Sequence, residues 1–559
     1  MGPCERPHFS LTSNSGLLEE ESVRRFIVIA SAPAVHIKQL DPLDFLERSA
    51  AVFRAKVAVV DGETRRTYPE LLDRVRRFAD VLQSQGVRSG DRVAVLSPNT
   101  SALLEAHYAV PLAGGVLCAL NIRLAVEEIQ YILSHCGATL LVYDAQFDDF
   151  IAQLRPAIST IRVSVGDVRD PERDYETLLA NADPTRVTRA AFDEETLLSI
   201  NYTSGTTGQP KGVMYTHRGA YLNAMAEVFH ANLRPTSVYL WTLPMFHCNG
   251  WVFPYAVTAA GATHVCLPRI DPALIFALIE REGVTHLCAA PTVLIALANA
   301  PTAAKFTRPL SVTTAGAPPS PTLIAQFEGL GATITHVYGL TETYGPITVC
   351  EWQSPLWDGA SLEERARFKS RQGVAMVTMD AADVRVVDSQ LRDVPPDGLT
   401  HGEIVMRGNN VMKGYYDDPE ATEKSFAGGW FHSGDVAVRH PDGYIEILDR
   451  AKDVIISGGE NISTVQVEKA ISQHPAVLEC AVVSSPDLKW GEVPKAFVTL
   501  KPGATLSAPD LIAFLRDHIA AFKIPRAIDF GDLPKTSTGK IQKFVLRERE
   551  WAGRTKRVN

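Results

Sequence analysis

Tyr202-Thr-Ser-Gly-Thr-Thr-Gly-Gln-Pro-Lys-Gly-Val213 follows an apolar run, Leu197 to Ile200, that reads as a buried strand. Three glycines, four hydroxyl residues and one lysine crowd the loop behind that strand. Glycines admit positive φ and close backbone approach. Successive N–H groups and hydroxyls can then surround phosphate oxygens, with Lys211 adding a point charge. The pattern is not Gly-x-x-x-x-Gly-Lys-[Ser/Thr], because Gly212 follows Lys211. The loop therefore points to a nucleotide, but not to the usual kinase or ATPase chemistry. Taken alone, it is equally compatible with a surface loop of small residues.

Around this loop, strand and helix patterns alternate. Lys56–Val60 and Thr64–Thr67 flank Asp61-Gly62-Glu63, a hairpin signal, and 68–85 reads as an amphipathic helix stopping near Gly86. Short apolar strands are predicted at Arg92–Leu96, Thr139–Tyr143, Ser311–Thr314 and Thr333–Val337. Such alternation predicts an α/β fold of mostly parallel sheets flanked by helices. Ligands of such sheets bind beyond the carboxyl ends of strands, where Tyr202, Ala315 and Tyr338 each open a loop. Past Val384 short strands broken by turns, Gly402–Met406 and Gly443–Ile447, predict a small β-rich subdomain over 384–449. Beyond 450 a small mobile α+β C-terminal domain is expected. Ser463-Thr-Val-Gln466 opens a helix, strands are read at 477–483 and 495–500, and a second helix at 509–519. The expected division is an extension over 1–38, poorly ordered, a large domain over 39–449, a hinge over 450–452 and a mobile domain over 453–559.

Composition narrows the class. A chain of 559 residues exceeds what one core fills, and 46% apolar with 21% charged residues is ordinary globular usage. The net charge of −9 argues against a nucleic-acid scaffold, so no nucleic-acid partner is expected. It also repels polyanions, but that field is screened beyond ~8 Å, so local cations must do the binding. Eight scattered cysteines with no Cys-x-x-Cys pair indicate neither zinc nor a disulfide framework. No apolar run reaches a membrane span. The acidic Glu19-Glu20-Glu21 before Arg24-Arg25 opposes a signal peptide, and Arg557-Val558-Asn559 is not a Ser-Lys-Leu address. A cytoplasmic location is expected; whether the chain forms a homodimer is left open.

The loop at 202–213 resembles, nearly residue for residue, the phosphate-binding signature of the AMP-forming acyl-CoA synthetase superfamily, with its aryl-CoA ligases, peptide-synthetase adenylation domains and luciferases. Further motifs fall in the same order from about Leu40 to about Arg547. They are Pro244-Met-Phe-His-Cys-Asn-Gly-Trp251, Gly316-Ala317-Pro318, Tyr338-Gly-Leu-Thr-Glu-Thr343, Ser433-Gly434-Asp435 and Pro534-Lys-Thr-Ser-Thr-Gly-Lys-Ile541. The likeness is strongest to short- and medium-chain fatty acyl-CoA ligases.

That resemblance implies two half-reactions: a carboxylate attacks the α-phosphorus of ATP, giving acyl-AMP and pyrophosphate, and coenzyme A then takes the acyl group. It makes ATP, coenzyme A and a small carboxylic acid the partners and Mg²⁺ the cofactor. It implies nucleotide contacts by Thr203, Ser204, Gly205, Thr206, Thr207, Gly208, Lys211, Gly316, Ala317, Pro318, His336, Tyr338, Gly339 and Thr341. Glu342 would hold the metal, Asp435 and Arg450 the ribose, and Lys540 would bridge carboxylate and phosphate. The implied acyl site is His247, Asn249, Trp251, Gly316 and Gly339, with His247 also placing the carboxylate and gating the thiol. Lys452 falls at the hinge, and Ser457, Gly458, Gly459 and Glu460 line the path of coenzyme A. Each residue has a plainer reading: a solvated lysine at 540, a core histidine at 247, a turn aspartate at 435, a helix start at 341–342. An aryl-CoA ligase of the benzoate or cinnamate type, a non-catalytic nucleotide-binding regulator, a luciferase-type oxygenase and an enzyme loading a carrier protein remain as alternatives.

Overall fold

The computed structural model describes residues 37–155, 158–164, 166–189, 192–203, 209–450, 452–458, 460–487, 489–536 and 539–552. Among them, two large mixed sheets carry the fold. The first runs, in spatial order, Val374–Ala375, Gly345–Val349, Ala332–Leu340, Leu310–Thr314, His286–Ala289, Val238–Leu240, Thr263–Val265, Val57–Asp61 and Thr64–Thr67. Its interior pairs are parallel and its two edges antiparallel. The second runs Gly414–Tyr415, Gly212–Thr216, Leu197–Tyr202, Val116–Ala119, Arg92–Leu96, Ala138–Asp144 and Ser159–Val163.

Local chemistry accounts for the helices between them. Tyr68–Ser84 begins with a reciprocal cap, Thr67 N–H donating to Glu70 Oε2 at 2.7 Å, and has proline in its first turn. Its Leu71, Val75, Phe78 and Leu82 recur at helical spacing and are all buried. Ser101–Leu112 is buried over nearly its whole circumference. It shares one apolar core with Val93, Val95 and Leu117 of the second sheet and with Val59 and Tyr239 of the first. A helix apolar on every side is stable only where protein covers all of it.

Val384–Val387, Gly402–Met406, Phe431–Arg439 and Ile445–Arg450 form an antiparallel β subdomain. The C-terminal region has its own sheet, with Ile455–Ser457, Glu460–Ile462, Val477–Asp487, Gly491–Leu500 and Ala527–Phe530, and its own core around Ile455, Val467 and Leu511. Residues 40–559 form one unit. The C-terminal region is stitched to the rest by Thr464 N–H donating to Asp449 Oδ2 (2.6 Å) and by the Lys469–Glu446 ion pair (2.8 Å). Among the described residues no helix is long and apolar enough to cross a membrane.

One expectation needs correction. Tyr338 does not open a loop. Its strand continues to Leu340 because Gly345–Val349 folds back beside it, placing Tyr338 opposite Thr348. The approach is so close that a Cβ on Gly339 would lie 1.8 Å from the Gly345 carbonyl oxygen, so only glycine fits there.

Candidate active site

The strand Leu197–Tyr202 and its antiparallel partner Gly212–Thr216 hold the ends of the glycine-rich loop together, with Thr203 N–H donating to the Lys211 carbonyl at 3.0 Å. Ser204, Gly205, Thr206, Thr207 and Gly208 lie outside the described residues. Lys211 pairs with Asp418 at 3.2 Å, and its ammonium sits over the Tyr415 ring, 4.9 Å from the centroid. Neither Tyr415 nor Asp418 is marked by any motif in the sequence.

Next to this hairpin, Thr341–Thr343 forms a single 3₁₀ turn after the Tyr338 strand. The Thr341 carbonyl accepts from Tyr215 Oη (2.6 Å), and its hydroxyl accepts from the Cys248 thiol (3.4 Å). Glu342 is half-buried and accepts from Tyr415 Oη at 2.9 Å. Among the described residues its other oxygen accepts no hydrogen bond, and no three His, Cys, Asp or Glu side chains cluster as a metal cage. A lone, partly open carboxylate suits a hard cation that keeps its waters and takes its remaining ligands from phosphates, as magnesium does.

The ribose candidates meet through strand register. Asp435 and Arg450 stand directly opposite in the β subdomain ladder. Asp435 is buried; its Oδ2 accepts from Tyr338 Oη at 2.7 Å and its Oδ1 faces Arg450 Nε at 3.2 Å. Burial works against the Arg450 charge, but Asp435 together with Tyr338, Asp453 and Glu342 outweighs it and raises the pKa. Gly316 (φ +89°) follows the strand Leu310–Thr314, and a Cβ there would meet nothing within 4 Å. Gly316 and Ala317 are exposed and Pro318 half-buried, so this loop is open above the strand end.

Lys540 comes from the C-terminal region. The turn carrying it closes with Thr536 N–H donating to the Lys540 carbonyl (2.7 Å) and Lys540 N–H to Thr536 Oγ1 (3.1 Å). Gly539 (φ +83°) lies against Thr292, whose Oγ1 would be 2.4 Å from an added Cβ. The lysine is exposed to solvent, yet protein atoms lie densely around it. That crowding, then the Arg450 charge, lowers its pKa to about 8, with Asp435 and Asp453 pulling the other way. Its field also reaches His247, whose pKa falls to about 4, first through burial and then through Lys540. His247 is therefore neutral at physiological pH.

The acyl candidates sit on an unusual piece of backbone. Cys248, Asn249, Gly250, Trp251 and Val252 all have positive φ, between 38° and 57°. Left-handed residues other than glycine cost roughly 1–2 kcal/mol each, so tertiary packing must hold this turn. Trp251 is buried, and a Cβ on Gly345 would lie 3.0 Å from its Cα and Cβ. Asn249 is fully buried and accepts from Ser199 Oγ at 3.2 Å.

His336 and the 457–460 hairpin stand apart. His336 is buried, with Nδ1 at 2.8 Å from the Arg371 carbonyl and 3.1 Å from that of Ser370. Its ring bonds to the backbone of 370–371. Ser457, Gly458 and Glu460 form a hairpin in the C-terminal region, where Gly458 packs on Trp490 and donates to its carbonyl at 2.9 Å. Gly459 lies outside the described residues. Lys452 follows the β subdomain, its pKa lowered by burial and then by Arg450.

A crowded lysine beside a neutral histidine, a carboxylate–arginine pair and a phosphate-type hairpin is the equipment for joining an anion to a nucleotide. The AMP-binding enzyme family matches residues 46–416, and the AMP-binding enzyme C-terminal domain matches residues 466–540. The chain belongs to the AMP-binding enzyme family. It is 44% identical to an acetate–CoA ligase, CCL3, of Humulus lupulus, over 92% of this chain and 95% of that one. It is equally similar to the peroxisomal acetate/butyrate–CoA ligase AAE7 of Arabidopsis thaliana, over 91% and 94%. ATP-bound MatB from Rhodopseudomonas palustris superposes with a TM-score of 0.79 at 29% identity, covering 91% of this chain and 98% of that chain. This AMP-binding enzyme is an AMP-forming acyl-CoA ligase: it activates a carboxylic acid with ATP and passes the acyl group to coenzyme A.

Proposed function

We propose that the acid is a short- to medium-chain aliphatic one, and that two orientations of the C-terminal domain about Lys452 serve the two half-reactions. The convergence of Lys540 with Arg450, Asp435 and His247 carries this reading. Bringing a carboxylate to the α-phosphate joins two anions. At 4 Å and an effective dielectric near 20 each unit-charge pair costs about 4 kcal/mol, roughly a thousandfold in rate. Lys540 as an ammonium between the two offsets that cost while the carboxylate oxygen bonds to phosphorus and the bond to pyrophosphate breaks. Asp435 and Arg450 grip the ribose, Tyr338 packs on adenine, Thr341 meets the α-phosphate and Lys211 the outer phosphates. Glu342 would hold magnesium, which when bound neutralises and orients the phosphates. Rotation about Lys452 would then withdraw Lys540 and present the 457–460 hairpin to the thiol.

The acid reading is supported by Trp251, buried against Gly345, as a wall to the acyl site, and by relatives that act on acetate and butyrate. An acid panel assayed for pyrophosphate release with and without coenzyme A tests it. An aliphatic optimum supports it, and a benzoate or cinnamate optimum replaces it with the aryl reading. Trp251→Ala is expected to raise the kcat/KM ratio of octanoate to butyrate by at least about tenfold, since each methylene in an apolar pocket is worth roughly tenfold or more. An unchanged ratio removes Trp251 from the wall.

The Lys540 pKa fixes a pH response. Only the protonated form is a cation, and its pKa is lowered from 10.5 to about 8. Adenylation kcat/KM is therefore expected to be full below that value and to fall about tenfold per pH unit above it. Lys540→Arg, permanently charged, is expected to be slower but to lack this limb. A limb that survives the substitution belongs to another group.

A further inference from the structure

The phosphate hairpin and the Glu342 turn are joined by the segment 412–418. Gly414–Tyr415 adds an edge strand to the hairpin, pairing Gly414 with Met214 and Tyr415 with Val213. The flanking amides continue the seam: Lys413 N–H donates to the Met214 carbonyl (2.9 Å) and Tyr416 N–H to the Gly212 carbonyl (2.7 Å). One residue earlier, Met412 N–H donates to the carbonyl of Glu342 (2.8 Å). Asp418 then caps the helix Pro419–Ser425, accepting from Ala421 N–H at 3.0 Å, while its other oxygen faces Lys211 at 3.2 Å.

Within this strap Tyr415 occupies both neighbouring functional groups at once. Its hydroxyl donates to Glu342 Oε1 at 2.9 Å, and its ring face lies under the Lys211 ammonium at 4.9 Å. Glu342 and Lys211 are long, partly open side chains, and fixing such chains costs of order 1–2 kcal/mol of rotamer entropy each. A rigid ring held by a strand settles that cost before the ligand arrives.

We propose that Tyr415 is the positioning residue that sets Glu342 and Lys211 for the triphosphate, with Asp418 standing in for phosphate on Lys211 until nucleotide displaces it. The inference rests on the assignment of Glu342 to the nucleotide's magnesium. A purely structural Tyr415 would keep its ladder bonds and its packing without the hydroxyl.

The test is calorimetric binding of ATP to the full-length enzyme, without acid, in magnesium and in EDTA. Magnesium is expected to tighten ATP binding to the native enzyme, and Glu342→Gln to remove most of that gain. Tyr415→Phe is expected to lose about tenfold of the gain, the scale of one hydrogen bond to a charged group, and to bind ATP normally in EDTA because the ring remains. Added to Glu342→Gln, Tyr415→Phe should cost nothing more. Asp418→Asn is expected to tighten binding in EDTA several-fold, a gain that a folding defect cannot produce. If Tyr415→Phe keeps the full magnesium gain while Glu342→Gln loses it, the positioning role is overturned and the Glu342 assignment stands. If Glu342→Gln keeps the gain, the Glu342 assignment itself falls. Additive losses in the double variant, or weaker binding by Asp418→Asn, also overturn the proposal.

Discussion

Lys540→Ala is expected to cut acid-dependent pyrophosphate release by about a thousandfold or more, while leaving thioester formation from pre-made acyl-AMP close to native. The size follows from removing one cation between two anions, about 4 kcal/mol at an effective dielectric near 20. The selectivity follows from where the lysine sits. It belongs to a turn of the C-terminal region laid against Thr292 and within reach of the charges of Arg450 and Asp435, with its own field reaching the neutral His247. Once the acyl-adenylate exists, the repulsion it offsets has gone. Stopped-flow or coupled assays of each half-reaction separate the two, and an equal loss in both would discard the two-orientation cycle.

The second large effect is expected at Asp435. Its carboxylate is buried, stands opposite Arg450 in the ladder and accepts from Tyr338. In the proposed ribose role, two charge-assisted bonds to ribose hydroxyls at roughly 1.5–3 kcal/mol each would make Asp435→Ala cost about a hundredfold or more in kcat/KM for ATP. Asn should recover part of it through shape. A further signature separates this from general damage. Asp435 raises the Lys540 pKa, so its removal should move the alkaline limb of adenylation to lower pH. An ATP KM within threefold of native, with the limb unmoved, would take Asp435 out of the site.

Much of this was legible in the chain because the signals were local. The Thr67–Glu70 cap, the helical spacing of Leu71, Val75 and Phe78, and the glycine-rich loop each depend on neighbours in sequence. What stayed hidden depends on partners far along it. Tyr415 and Asp418 look like turn residues in Gly414-Tyr-Tyr-Asp-Asp-Pro419, yet Tyr415 meets Glu342 from 73 positions away. Tyr338 looked like the end of a strand because the returning strand at Gly345–Val349 carries no alternating pattern. His336 stands two residues before Tyr338, and only the path of 370–371 shows that its ring serves carbonyls. At 248–252, Asn249-Gly250 signals a turn, but nothing in the residue types announces that Cys248, Trp251 and Val252 take the same hand.

That left-handed turn has a practical consequence for redesign. Because its backbone is held against the chain's own preference by what surrounds it, shortening Trp251 should open room for the ligand without letting the main chain slide in to reclaim it. Selectivity in this enzyme can thus be re-cut one side chain at a time, like changing a single tooth on a fixed key, whereas grafting a foreign loop across 248–252 would lose the mould as well as the tooth.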